Sequence, residues 1–170
     1  MQLDLSHIRK AEDHFEYTVG PSEVPQEGEA YQVVEPVHLV FDVHKDKDRF
    51  RLVGTVRSAL ELSCSRCLEP YRMPVNMAFD QRYLPHSKAS GDVEVELEED
   101  DLETGYYLNE QIDLNELLRE QFYLALPMKP LCAEACRGLC PHCGANFNAE
   151  TCACVAAWDD PRLAPLKKFT

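Results

Sequence analysis

Eight cysteines in four close pairs constrain this chain more than any other feature of its sequence. Five of them fall within the stretch "CRGLCPHCGANFNAETCAC", which ends at Cys154. The four pairs are Cys64/Cys67, Cys132/Cys136, Cys140/Cys143 and Cys152/Cys154. A C-x-x-C turn lets two thiolates chelate one ion, and four thiolates around Zn²⁺ make a closed structural site. The eight thiols therefore predict two zinc ions per chain, with all eight cysteines as ligands.

The spacing of the pairs favours one grouping over another. Eight residues separate the third pair from the fourth, so these two pairs form one predicted site. The first two pairs then form the other site, across a gap of 64 residues. Closing a loop this long costs chain entropy, and a metal ion that bridges the two pairs would compensate for that cost. The free energy of metal binding would then contribute to the stability of the fold. The alternative grouping joins the first pair to the third.

Other roles for the cysteines fit the chain less well. The N-terminus "MQLDLSHIRKAEDHFEYTV" has no apolar run of the kind that makes a secretory signal, so the predicted location is the cytoplasm, where disulfides are rare. The spacing C-x3-C-x3-C-x2-C matches no iron–sulfur signature that we can name. No βαβ pattern surrounds "CSRC", which argues against a thioredoxin-like redox pair.

Apolar residues alternate with polar ones over two neighbouring segments. In residues 31–43, one face carries Val37, Leu39, Phe41 and Val43. Residues 50–64 continue the alternation after a charged turn, so the two segments predict an antiparallel hairpin. Residues 71–84 predict a third strand, and Pro74 within it indicates an edge or a bulge.

The segment "DLNELLREQFYLALP" predicts the main helix of the chain. Asp113 is a suitable N-cap, Glu116 completes a capping box, and Pro127 ends the helix. Apolar residues recur at helical spacing on one face. Together with the strands, this helix predicts an α+β fold: a curled antiparallel β-sheet, one main helix and a C-terminal cysteine-rich zinc-binding cap.

Acidic residues dominate the charge of the chain, whose formal net charge is −13. Eight of its 30 acidic residues lie in residues 92–103, "DVEVELEEDDLE", which contain no basic residue. We therefore expect an acidic strand and loop over residues 92–104, either solvating the surface or attracting basic partners. The expected organisation is a single domain over residues 1–170, with a cysteine-rich metal-binding segment at residues 130–156.

Several of these motifs occur together in a known family. The strings "CSRC", "DLNELLREQFYLALPMKPLC", "CRGLCPHCGANFN", "CAC" and "DPRLAPLKKF", in that order, resemble the YceD-like family of bacterial and plastid proteins. That family was long described as a domain of unknown function and is associated with the accumulation of 23S ribosomal RNA. The resemblance implies a role in ribosome biogenesis, with large-subunit rRNA or a pre-ribosomal particle as partner, and implies no catalytic residue.

Catalytic motifs are missing from the sequence. It contains no G-x-S-x-G, no Walker loop and no H-E-x-x-H, and a closed four-thiolate site leaves no position for substrate. The sequence and the resemblance together predict a non-enzymatic factor that supports 23S rRNA accumulation or processing and large-subunit assembly. Two alternatives stay open: a chaperone-like module that binds a basic ribosomal protein through the acidic run, and an rRNA-processing enzyme with an unrecognised site.

Overall fold

The computed structural model describes residues 1–86 and 104–154, which fall into two compact units. The sheet unit comprises Met1–Leu62 and Tyr71–Pro130. The cysteine-rich unit comprises Ser63–Pro70 and the chain from Leu131 onward. The predicted acidic strand and loop falls on residues 92–103, outside the described residues. The single-domain organisation and the boundaries of its segments stay predictions.

Strands make up most of the regular structure of the described residues. The strands are β1 (Gln2–Asp4), β2 (Glu12–Val19), β3 (Gln32–Val33), β4 (Val37–Asp46), β5 (Arg49–Ser63), β6 (Pro70–Pro85), β7 (Thr104–Tyr107) and β8 (Gln111–Asp113). One α-helix, α1 (Leu114–Ala125), follows β8 directly, and two short 3-10 helices span Leu5–His7 and Pro21–Glu23. The predicted α+β class is confirmed for these residues.

The main sheet has six strands and is open. Its order is β2-β4-β5-β6-β7, and β3 pairs with β5 off this path. The predicted hairpin is confirmed, because β4 and β5 pair antiparallel from His38 opposite Arg57 to Asp46 opposite Arg49. One strand pair departs from the predicted antiparallel sheet: β7 lies parallel to the end of β6. Three residues per strand form a separate antiparallel ladder between β1 and β8.

The predicted alternation of the hairpin is also confirmed. Val37, Leu39, Phe41 and Val43 are all buried, whereas His38 between them is exposed. On β5, Gly54 lies opposite Phe41, and a Cβ added to Gly54 would approach the carbonyl oxygen of Val40 to 2.2 Å. Glycine at this position therefore allows the two strands to pack this closely.

The helix α1 closes over the same core. The carboxylate of Asp113 accepts a hydrogen bond from the backbone N–H of Asn115 at 2.8 Å, so this residue caps the helix as predicted. The buried face of the helix carries Leu114, Leu117, Leu118 and Phe122, together with Gln121. These apolar side chains belong to one core cluster with those of β4 and β5. No helix among the described residues has the length and apolar character needed to cross a membrane.

Candidate metal centres

The structure brings the eight thiols together in two groups of four. The first cluster consists of Cys64, Cys67, Cys132 and Cys136, and the second cluster consists of Cys140, Cys143, Cys152 and Cys154. Within each cluster, the four Sγ atoms lie within 4.8 Å of one another. This grouping agrees with the one that the spacing favours, and it separates the first pair from the third. Both clusters belong to the cysteine-rich unit.

The distances between the sulfurs fit a shared ion and exclude bonded sulfurs. In the first cluster, Sγ of Cys64 lies 3.7 Å from Sγ of Cys136, and Sγ of Cys67 lies 3.7 Å from Sγ of Cys132. Sulfurs placed tetrahedrally about 2.3 Å from a zinc ion would be about 3.8 Å apart. A disulfide requires about 2.05 Å, and all eight cysteines are free thiols. The donor set and its spacing therefore suit a tetrahedral soft-metal site.

Two tight turns supply half of the thiols and share the same backbone hydrogen bonds. The first knuckle spans residues 64–69, and the second knuckle spans residues 140–145. In the first knuckle, the Leu68 N–H donates to the Cys64 carbonyl at 2.9 Å, and the Cys64 N–H donates to the Glu69 carbonyl at 2.9 Å. The second knuckle repeats both bonds at the equivalent positions, with lengths of 2.9 and 2.8 Å. The same type of two-cysteine turn therefore occurs at two positions in the chain.

Both knuckles place the residue after their second cysteine in the left-handed region. Gly144 has φ +76°, as expected for glycine at this position. Leu68 occupies the equivalent position of the first knuckle with φ +62°, although it is not glycine. Its side chain is 66% exposed, so little burial compensates the strain. The turn geometry, and not the local preference of leucine, therefore sets this backbone conformation.

Backbone N–H groups of the knuckles point at the sulfurs and favour thiolates. Hydrogen bonds from the backbone N–H groups of Cys143 and His142 lower the pKa of the Cys140 thiol to about 6. Burial raises the pKa of Cys64, but backbone N–H groups, that of Cys132 foremost, outweigh it and lower the pKa to about 6. The backbone around the first cysteine of each turn therefore stabilises the charged form of that thiol, which is the form that can bind a metal.

One thiol outside the knuckle in each cluster, Cys132 in the first and Cys154 in the second, behaves differently. Hydrogen bonds with the sulfurs of Cys136 and Cys67 raise the pKa of Cys132 to about 12. A hydrogen bond with the sulfur of Cys143 raises the pKa of Cys154 to about 12 in the same way. Four adjacent thiols cannot all ionise by themselves, because neighbouring thiolates repel one another. A divalent cation bound among the four sulfurs would offset the repulsion between thiolates. Both clusters are therefore suited electrostatically to holding such a cation.

Polar side chains around the first cluster hold its two halves in place. The guanidinium of Arg66 donates to the backbone carbonyls of Glu134 and Cys136, the latter at 2.7 Å. The side-chain amide of Asn148 donates to Sγ of Cys136 at 3.3 Å, and its Oδ1 accepts from the backbone N–H of Arg137 at 2.8 Å. Such partners orient the first ligands of a metal and tune their basicity.

Sequence reasoning missed the two asparagines that support the first cluster. The string "NFN", in which Asn146 and Asn148 lie between the third and fourth cysteine pairs, was the available signal. Oδ1 of Asn146 accepts from both the backbone N–H and the side-chain amide of Asn148, which fixes the orientation of that amide. Amides at this spacing inside a chelating loop are suited to supporting a sulfur ligand.

The chain is similar in sequence to several known proteins. The family profile described as "Large ribosomal RNA subunit accumulation protein YceD" matches residues 52–170, a range that contains both clusters. An uncharacterized protein of Mycobacterium tuberculosis is 34% identical over 99 residues, which cover 58% of this chain and 45% of the relative. No solved structure gives a significant match.

Two plant relatives carry descriptive names. Proteins of Zea mays and Arabidopsis thaliana, both named large ribosomal RNA subunit accumulation protein YCED homolog 1, chloroplastic, are each 28% identical to this chain. The alignments cover 78% and 77% of this chain, and 53% and 47% of the relatives. The chain thus spans about half the length of the curated relatives it matches. Because the family profile covers well over half of the residues, the chain belongs to the YceD family.

Proposed function

We propose that this chain is a non-enzymatic factor in ribosome biogenesis, which supports the accumulation or processing of 23S rRNA and the assembly of the large subunit. Membership of the YceD family is the observation that carries this proposal. The names of the plant relatives support it, since they refer to accumulation of large-subunit rRNA. The partner is large-subunit rRNA or a pre-ribosomal particle, and the proposed location is the cytoplasm, where bacterial ribosomes assemble.

The proposed cofactor is zinc, with two ions per chain. The first and second clusters would each hold one ion through four thiolates, so all eight cysteines are proposed ligands. The spacing of the sulfurs and the backbone N–H groups aimed at them support this assignment. An ion enclosed by four thiolates has no open position for water or substrate. Its contribution is therefore structural, which favours a binding role over catalysis.

Metal analysis of the purified chain tests the cofactor. We expect two zinc ions per chain and no thiol that reacts with Ellman's reagent until a chelator is added. Substituting both Cys140 and Cys143 by serine should remove one ion and leave the other. A preparation that contains disulfides, or no metal and eight reactive thiols, would contradict the assignment.

Sucrose-gradient sedimentation of cell extracts tests the function. We expect the chain to sediment with large-subunit precursors and to be absent from mature ribosomes. The Cys140→Ser/Cys143→Ser variant should lose this association, whereas Glu150→Ala, an exposed change in the same unit, should keep it. If the chain stays at the top of the gradient under every condition, the proposed function is wrong.

Two alternative functions would be recognised by different measurements. A chaperone-like role would give salt-sensitive binding to one basic ribosomal protein, lost when the acidic residues at 98–103 are neutralised. The charge of the run at 92–103 favours this alternative, since it attracts basic partners. A processing enzyme would cleave precursor rRNA when the purified chain is the only protein present.

A further inference from the structure

A cationic groove lies in the sheet unit, at the turn end of the β4–β5 hairpin. Its volume is about 460 Å³, and it is formed by the ends of β4 and β5, by β6 and by the start of β7. Its lining includes the charged or basic side chains His44, Lys45, Asp46, Arg49, Arg51 and Arg82. Four arginine or lysine side chains thus face one aspartate, in a chain whose net charge is −13. The groove is therefore positively charged in a chain that is negatively charged overall, which indicates that this surface has a function.

The strand register brings these cations together. His44 lies opposite Arg51 across the hairpin, and Asp46 lies opposite Arg49. Arg51 forms a salt bridge with Asp80 on the neighbouring strand β6. That hydrogen-bonded pair, helped by the charges of Arg82 and His44, lowers the pKa of Asp80. Asp80 therefore lies among three basic groups and stays ionised at neutral pH, where it holds Arg51 in position.

Buried apolar side chains form the floor of the groove, beneath its charged side chains. Phe50 and Tyr83 are 5% and 8% exposed, and both line the groove. Nζ of Lys45 donates to the carbonyl of Ile8 at 2.8 Å and lies 5.4 Å from the centre of the Phe50 ring. Lys45 is therefore held against the floor, whereas Arg49 is exposed and can reach outward. Because Lys45 is already held in place, it loses little side-chain freedom when an anion binds.

The chemistry of the groove selects the class of ligand. Arginine side chains bind phosphate oxygens through several N–H donors, and the three cations other than the paired Arg51 can follow a line of phosphates from their neighbouring strands. The carboxylates of an acidic protein could also bind these cations, but carboxylates occur at irregular spacing along a polypeptide. A nucleic-acid backbone offers one charge per nucleotide at a regular interval.

We infer that this groove binds the phosphodiester backbone of RNA through Arg49, Arg82 and Lys45. This inference rests on the proposed function and adds the RNA-binding surface to it. Phosphate-directed binding of this kind positions a protein on RNA without reading the sequence. The groove would therefore accept single-stranded RNA of many sequences, with an affinity that falls as salt is raised.

Fluorescence anisotropy with a labelled single-stranded RNA of mixed sequence tests the groove. Arg49→Gln should weaken binding, and Arg49→Gln/Arg82→Gln should weaken it further, by about tenfold or more at low salt. The slope of log K against log salt should become shallower by about 0.7 for each phosphate that the variant no longer neutralises. Arg72→Gln is the matched control, because Arg72 is exposed, pairs with Glu35 at 3.7 Å and does not line the groove. Thermal unfolding of each variant verifies that the fold is kept.

The outcomes separate this inference from the proposed function. Equal RNA affinity of wild type, Arg49→Gln and Arg72→Gln would overturn the groove as an RNA-binding surface. If the groove variants still sediment with large-subunit precursors and bind RNA as wild type does, the groove inference fails and the proposed function stands. If they lose binding to an acidic protein but not to RNA, the partner class assigned here is wrong. Failure of the wild type to sediment with precursors contradicts the proposed function itself.

Discussion

The side-chain amide of Asn148 donates a hydrogen bond to Sγ of Cys136 over 3.3 Å. Cys136 belongs to the first cluster, whereas Asn148 lies in the loop between Cys143 and Cys152, which are members of the second. The loop that the second cluster closes thus carries a support for the first. Binding of an ion at the second cluster orders this loop, so we expect it to strengthen binding at the first.

Removing this amide should weaken the first cluster selectively. We expect Asn148→Ala to lower metal affinity at the first cluster by about 10- to 100-fold, since it removes a donor to a thiolate. Affinity at the second cluster should change less. Competition titration with a chromophoric chelator resolves the two ions. Glu150→Ala, in the same loop, is the control, because only the backbone N–H of Glu150 bonds to Asn146. Equal loss at both clusters would contradict the selective role.

Glycine at position 68 should stabilise the first knuckle. Leu68 has φ +62° and is 66% exposed, so Leu68→Gly relieves left-handed strain and sacrifices little buried surface. We expect the free energy of unfolding of the metal-loaded chain to rise by about 0.5 to 1 kcal/mol, after the greater freedom of glycine in the unfolded chain is counted.

The reverse change in the second knuckle serves as the comparison. Gly144→Ala introduces the same strain at φ +76°, where an added Cβ meets no atom within 4 Å. Its stability should therefore fall by about 1 kcal/mol. Denaturant titration of both variants measures the two effects, and a loss of stability in Leu68→Gly would show that the leucine side chain makes a contribution of its own.

Chelation should unfold the cysteine-rich unit and spare the sheet unit. In the described part of the cysteine-rich unit, the buried apolar side chains are those of Cys64, Cys67, Cys136 and Cys140. A unit whose interior consists of thiols has no apolar core to keep it folded if the proposed ions are removed. The sheet unit has its own cluster of buried side chains.

Limited proteolysis with and without chelator measures this difference. We expect rapid cleavage after Leu131 once the metal is removed, while the strands β4 to β6 stay protected. Adding zinc back should restore protection, and adding magnesium, which prefers oxygen ligands, should not. Protection of residues 131–154 in the fully metal-free chain would contradict a metal-dependent fold.

The buried hydroxyl of Tyr31 should cost stability. Tyr31 is 2% exposed, and its hydroxyl has no hydrogen-bond partner in the described part of the chain. Its ring packs edge-on against Phe122, an arrangement that phenylalanine would keep. We therefore expect Tyr31→Phe to raise the free energy of unfolding by about 1 kcal/mol, because it removes an unpaired polar group.

The same variant should change the response to alkali. Burial raises the pKa of Tyr31 to about 12 in the folded chain, against an ordinary value of 10.0. Between these two values the unfolded chain loses this proton and the folded chain keeps it, so the wild type loses stability as the pH rises. The variant lacks this contribution, so its advantage over wild type should grow from pH 10 to pH 12. Denaturant titrations across that range provide the measurement, and a constant difference would contradict the cause assigned here.

Local patterns were sufficient to predict the hairpin, the helix and the grouping of the thiols. The faces of β4 and β5 follow from side chains that alternate, and α1 begins directly after its capping residue Asp113. The clusters follow because a chelating turn needs its two cysteines close in sequence, and because the second cluster closes a short loop.

Features that depend on distant parts of the chain were not predictable in this way. Three-residue strands such as β1 and β8 carry too little pattern, and they pair across more than a hundred residues. The positive φ of Leu68 could not be predicted from its residue type, because the turn imposes that backbone conformation. The cationic groove takes its basic side chains from three strands, and nothing in the charged segment 44–51 indicates that Arg82 of β6 lies beside it.

The separation of the thiols in the first cluster has a consequence for biosynthesis. Cys64 and Cys136 lie 72 positions apart, so the early pair leaves the ribosomal tunnel well before the late pair is made. Elongation at about 5–20 residues per second leaves Cys64 and Cys67 waiting for about 4 to 14 seconds. During that interval they would form only half of the proposed metal site, exposed to oxidants and to competing soft ions. Growth under copper or peroxide stress should therefore damage newly made chains far more than finished ones.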